Sequence, residues 1–331
     1  MMRGFIAIVS LLLFVSNSFG NASQAGAKFL LIFPGARPSG MAASFSSIAD
    51  DAMATYYNKA GAAFQESTNV YLMHSNWLPE LFPDMYYEII SFVHPVEGWG
   101  KIGGHIIYLT TGETVATDPT GNVIAEYRTY DFAVCIMYAH KLSEKLGVGG
   151  GIKFIHSYLA PDWIVKYNLT GMGGGTGQSY AVDLSVLYKL STRANIGFAL
   201  QNLGPNISFI VGGTSSDPLP RTLKLGLSYR ILNTNMNRLT VACEVTKILV
   251  GLSKDLNYEF EEAWKHFGVE YWFHNFFAVR GGYFYDREGH RKGPTFGGGI
   301  KFKKFSFDIG VDSAIYEFGG SNYRFSLGYT F

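Results

Sequence analysis

The side chains that could do chemistry are few and poorly spaced for it. Eight His are scattered along the chain (His74, His94, His105, His140, His156, His266, His274 and His290). None has a Ser and an acid at a spacing that would build a nucleophilic relay, as a barrel hydrolase would need at one rim. No His and Cys combine at zinc-site spacing. The run Gly171-Met172-Gly173-Gly174-Gly175-Thr176-Gly177 lacks the Gly-Lys-Ser/Thr ending of a phosphate loop and reads as a connecting loop. Cys135 and Cys243 are the only cysteines, too few and too far apart for a disulfide scaffold. The expectation is therefore no catalytic residue, no metal site and no cofactor. One charge pair stands out, Glu270 and Arg280, on either side of a tight turn.

That pair makes sense only on strands. The last ten residues put Tyr323, Phe325, Leu327, Tyr329 and Phe331 on one face and Arg324, Ser326, Gly328 and Thr330 on the other, the period of two of a β-strand. Phe305, Phe307, Ile309 and Val311 repeat the pattern, as do Leu223 to Tyr229 and Tyr180 to Tyr188. Read through the chain, alternation places strands near 69–77, 85–94, 99–109, 126–140, 146–156, 179–190, 194–202, 222–231, 239–246, 266–273, 277–285, 295–302, 305–313 and 322–331. Connections alternate between long and short, which puts long loops at one rim and tight turns at the other.

Composition agrees with this reading. Charged residues are 16% of the 331, against roughly 25% in soluble domains, and aromatics are also 16%. The formal charge is +1, which leaves no nucleic-acid footprint. No mature segment approaches the roughly 20 apolar residues of a spanning helix, so a membrane home requires a closed barrel. The expected fold is an all-β, 14-stranded antiparallel transmembrane barrel over residues 69–331. A soluble sandwich with the apolar faces turned inward is the bland alternative.

Residues 1–20, with Arg3, an apolar run Phe5 to Val15 and small residues before Asn21, read as an export signal. Residues 21–68 are too irregular for strands. There Asp50 to Tyr57 reads as a short helix capped by Asp50 and Asp51 and stopped by Asn58 to Gly61. A wide barrel needs a filler, so this segment is expected inside, near the tight-turn mouth, with both chain ends on that side. The turn His274-Asn275-Phe276 pairs Phe273 with Phe277 and so sets Glu270 against Arg280 in the lumen. That pair could line a channel, or be an interior salt bridge that holds register. Inward positions read as Ser, Thr, Gly and charged, which offers no apolar path. Gly149-Gly150-Gly151 and Gly297-Gly298-Gly299 lie inside strands, where strand bending or close approach of the filler's backbone explains them. Cys135 points inward and Cys243 outward.

Several blocks carry a resemblance. Gly35-Ala36-Arg37-Pro38-Ser39-Gly40-Met41, Ala49-Asp50-Asp51-Ala52 and Asn58-Lys59-Ala60-Gly61 resemble the N-terminal signature of the PorV/PorQ family, within the wider FadL-like group of outer-membrane barrels. Asp183 to Tyr188, Gln201 to Pro205, Leu219 to Arg221, Leu225 to Tyr229, Gly268 to Trp272 and Val279 to Tyr283 continue it in order. Lys59 departs, standing where these barrels usually carry Pro. Tyr329 and Phe331 resemble the C-terminal assembly signal of outer-membrane barrels. The resemblance implies an outer-membrane, non-enzymatic component of type IX secretion. Its partners would be lipid and protein: the translocon, cargo C-terminal domains or an attachment complex. Loop aromatics Tyr158, Trp163, Tyr258 and Trp264 are candidates for partner contact, with membrane-interface anchoring as the other reading. A FadL-like transporter of hydrophobic solutes is the alternative function.

Overall fold

A computed structural model describes residues 25–331, apart from 119, 169–171, 214, 254, 288 and 314–319. The strands are β1 Asn69–Asn76, β2 Tyr86–Val96, β3 Gly100–Thr117, β4 Val123–Lys141, β5 Leu146–Tyr158, β6 Thr176–Lys189 and β7 Ala194–Leu203. They continue as β8 Thr222–Asn233, β9 Asn237–Ile248, β10 Trp264–Phe273, β11 Phe277–Asp286, β12 Arg291–Phe302, β13 Phe305–Asp312 and β14 Asn322–Thr330. Each pairs antiparallel with its neighbour, and β14 returns to β1 through Val70↔Tyr329, Leu72↔Leu327 and His74↔Phe325. The ring is closed, so no edge strand is left. Among the described residues no helix is long and apolar enough to cross a membrane.

Outward rows such as Leu225, Ile136 and Phe325 stand uncovered, as a lipid-facing wall requires. Tyr86, Tyr108, Tyr130 and Tyr158 sit at one height on β2 to β5, with ring centroids 6.0, 6.2 and 5.3 Å apart. That run is an aromatic belt of the kind found where a barrel wall meets the interface.

The lumen is filled by residues 25–68, and its course corrects two expectations. The segment is not confined to the tight-turn mouth. It begins at the long-loop rim, where Gly26 N donates to Pro218 O at 2.9 Å, and runs through to the tight-turn rim. There Phe331 N donates to Thr68 O at 2.9 Å. Only the C-terminal end of the described chain therefore lies at the tight turns. The second correction concerns the inner face. On β1 to β5 it carries Tyr71, Met73, Tyr87, Ile89, Val93, Ile107, Met137 and Ile155, all buried. Those strands are apolar on both sides, because one side meets lipid and the other packs on the plug.

The plug's backbone lies directly on the wall. A Cβ built on Gly149 would stand 2.6 Å from both the Lys59 carbonyl carbon and the Ala60 nitrogen. Only glycine allows that approach.

Candidate functional site

The plug's secondary structure is brief. One-turn helices cover Ala36–Ser39 and Ala54–Tyr57, and 3-10 helices cover Lys28–Leu31 and Lys59–Phe64. The helix expected at 50–57 is shorter, and Asp50 does not cap it, whereas one Asp51 oxygen keeps a capping contact just ahead of it. Asp51 Oδ1 accepts from Met53 N at 2.8 Å, while Asp50 Oδ1 and Asp51 Oδ2 accept from Arg37 Nη1 at 2.6 and 2.8 Å. Both carboxylates were claimed by a guanidinium distant in sequence, which local helix rules do not see. Asn58 ends the short helix, its side chain accepting from Ala60 N at 3.0 Å. Gly61 stops nothing: it lies within the 3-10 helix, pressed against Ala49 O.

Two ionic anchors bind plug to wall. In the first, Arg37 grips Glu270 bidentately, Nε to Oε2 at 2.8 Å and Nη2 to Oε1 at 2.9 Å. Glu270 also takes Arg280 Nε at 2.8 Å, and Arg280 Nη1 reaches Asp308 at 2.7 Å. The register sets Glu270 opposite Arg280, yet the pair is only the middle of a chain running from Asp50 and Asp51 through Arg37 to Asp308. Fork geometry makes such contacts strong and directional. Burial pushes the Asp51 carboxyl up to about 6, although Arg37 pulls the other way.

In the second anchor Lys59 Nζ lies 2.6 Å from Asp183 Oδ2, with Lys153 Nζ 3.2 Å from the same oxygen. Asp183 Oδ1 accepts from Asn202 N at 2.8 Å, where β6 and β7 pass through a bulge. Burial by itself would favour the neutral amine, but Asp183 outweighs it and the Lys59 pKa rises above its ordinary value. Backbone contacts finish the seating: Glu244 Oε2 accepts from Phe45 N and Ser46 N at 3.2 and 2.8 Å. Sequence reasoning passed over Arg37, Lys59, Asp183 and Glu244 as ligating groups. Inward parity on β6 and β9 was the available signal for the two acids.

At the long-loop rim a cavity of about 290 Å³ is lined by Leu31, Phe33, Trp77, Trp264 and Phe284 together with Arg291 and Arg324. Trp264 is therefore not a loop aromatic. It opens β10, is buried, and packs edge-on to Phe33 at 5.7 Å. Parity explains the error, because a strand beginning two residues earlier than expected puts Trp264 on the inner face with His266. Tyr158 ends β5 within the outer tyrosine belt. Trp163 and Tyr258 project from loop helices Asp162–Asn168 and Leu256–Glu262 and are exposed. Tyr329 and Phe331 stack edge-on at 4.7 Å on the outer wall. Cys135 is buried and Cys243 exposed, both as free thiols. The Gly-rich loop is stitched to its neighbour by the Gly174↔Ile210 bridge. Among the described residues no three His, Cys, Asp or Glu side chains converge as metal ligands.

Comparison with known structures identifies the fold. The Ralstonia pickettii toluene transporter TbuX aligns with TM-score 0.56 and 13% identity over 92% of this chain and all of that one. The Pseudomonas putida toluene transporter TodX gives 0.52 and 13% over 84% and 93% of the two chains. A Pseudomonas aeruginosa FadL homologue gives 0.52 and 14% over 91% and 99%. These likenesses show a shared barrel fold. We found no relative among curated protein sequences. The family model described as "Type IX secretion system protein PorV" matches residues 16–255, which take in the whole plug and strands β1 to β9. The chain belongs to the PorV family of type IX secretion system outer-membrane proteins.

Proposed function

We propose that this barrel is a non-enzymatic component of type IX secretion, exported by residues 1–20, with its tight turns and C-terminus in the periplasm and its long loops outside the cell. On those loops it holds a folded protein partner, such as a cargo C-terminal domain or a member of an attachment complex. The observation that carries the reading is the pair of loop helices. They present Trp163, Tyr167, Leu256 and Phe260 to solvent, Leu256 with 82% of its surface exposed. Large uncovered apolar groups at the end of a membrane protein, away from its lipid wall, fit a protein contact.

The test is co-purification from outer membranes. Wild-type protein is expected to bring down cargo and secretion proteins. A quadruple Ala variant at Trp163, Tyr167, Leu256 and Phe260 is expected to reach the membrane normally and lose them. Retention of every partner by that variant would refute loop docking.

A second reading rests on the aromatic cavity at the long-loop rim and on the similarity to toluene transporters: passage of a small hydrophobic solute. The lumen speaks against free passage, since Lys59, Tyr57 and Phe45 of the plug are almost wholly buried in it. A deletion strain that stops taking up an aromatic hydrocarbon while secreting cargo normally would favour this second reading.

A further inference from the structure

Seven cations gather at the tight-turn mouth: Lys189, Arg193, Arg230, Arg238, Lys301, Lys303 and Lys304. They line two adjoining cavities of about 310 and 460 Å³ that share Arg37, Asp50, Asn69 and Arg238. None of the seven takes part in an ion pair among the described residues. Lys189 lies over the Phe64 ring at 3.7 Å, and Arg238 over Trp272 at 5.5 Å. The acids within reach do not balance them. Asp50, Asp51 and Glu270 are held by Arg37 and Asp308 by Arg280, which leaves Glu66 as the carboxylate lining the two cavities that joins no ion pair among the described residues. Like charges crowded together unpaired destabilise a fold unless an anion joins them.

Placement selects the kind of anion. Lys189, Arg230, Arg238 and Lys301 share the inward parity of buried Asp183, Ser228, Thr240 and Thr295 on their strands. They point into the mouth, away from the lipid-facing wall, so headgroups along the outer wall do not reach them. The cations run from β6 to β13. At about 4.8 Å per strand that arc is roughly 35 Å long, far more than one phosphate spans. An extended peptide rises about 3.4 Å per residue, so about ten residues cover it. Phe64, Leu187 and Trp272 supply apolar floor between the charges.

We propose that the tight-turn mouth binds an extended acidic polypeptide segment, about ten residues long, belonging to a partner protein on that side of the membrane. The site is separate from the long-loop docking face, and its carboxylates replace the missing counter-charge.

Fluorescein-labelled deca-glutamate is the probe, read by anisotropy with the full barrel in a zwitterionic detergent. Binding is expected at low salt and is expected to weaken steeply toward physiological ionic strength. The combined variant Lys189→Gln, Arg230→Gln, Arg238→Gln and Lys301→Gln is expected to bind at least tenfold more weakly. Lys166→Gln with Lys292→Gln, at the opposite rim, should bind as wild type. Arg230→Lys with Arg238→Lys keeps the charge and should retain binding, which separates charge loss from misfolding. No binding by the wild type, or unchanged binding by the Gln variant, overturns the proposal. So does displacement of the peptide by equal concentrations of inorganic phosphate, or by phosphatidylglycerol in a nanodisc, since either outcome assigns the cations to small anions or lipid.

Discussion

Lys59 Nζ stands 2.6 Å from Asp183 Oδ2, with neither side chain more than 2% exposed. A plug cation here meets a wall anion deep in the lumen. Asp183 serves two ammonium groups, and the partners are therefore not equivalent. Lys59→Met leaves Asp183 still paired to Lys153 and is expected to cost about 2 kcal/mol. Asp183→Asn strands two buried cations and is expected to cost more, about 3 to 5 kcal/mol. Urea unfolding in detergent gives both numbers, and equal losses would mean that Lys153 contributes nothing.

The Arg37 fork predicts that the plug can be unlatched. Arg37→Gln removes the contact to Glu270 and frees Asp50 and Asp51 near the mouth, while Glu270 keeps Arg280 and the wall stays intact. In planar bilayers the variant is expected to show frequent openings of several-fold higher conductance than wild type. Identical traces would mean that the remaining contacts hold the plug alone.

The same cluster sets a pH dependence. Burial lifts Asp51 from 3.8 to about 6, so the folded protein binds its proton more tightly than the unfolded chain does. Stability then falls as pH rises between about 4 and 6 and is flat above, a contribution of about 3 kcal/mol. The Arg37 guanidinium faces the same carboxyl and keeps its charge through this window. Asp51→Asn is expected to flatten this part of the profile, measured as urea midpoints across pH. An unchanged slope would assign it elsewhere.

Much of the barrel was legible because alternation and turn length are local. The turn at His274 to Phe276 fixes β10 against β11, and a register once fixed dictates every facing pair down to Glu270 and Arg280. The two strands β3 and β4 ran further than expected, past Thr110 and from Val123. Beyond the lipid band their alternation fades while the ladder continues. The plug was not legible in the same way, since nothing periodic marks it. Arg37 finds Glu270 across 233 positions, and the same guanidinium takes Asp50 and one oxygen of Asp51, while the other Asp51 oxygen still accepts from Met53 N. Trp264 failed for a smaller reason, a strand boundary, and its spacing of two from His266 was the correction already present in the sequence.

The glycine run on β5 offers a test in which neighbouring positions should behave oppositely. Gly149 and Gly150 differ only in the face they present. A Cβ on Gly149 meets plug backbone at 2.6 Å, whereas one on Gly150 has nothing closer than 3.4 Å. Gly149→Val must therefore push the Lys59 to Ala60 backbone off the wall, strain both ends of the Lys59 anchor, and cost about 1 to 3 kcal/mol. Gly150→Val adds a branched side chain to the outer face of a strand, where such residues fit well, and should be neutral or slightly stabilising. Urea midpoints of the two variants, with proteolysis of the plug as a second readout, decide the matter. Equal destabilisation would show that the run serves strand bending, and a specific loss at Gly149 would show that it serves the seat of the plug.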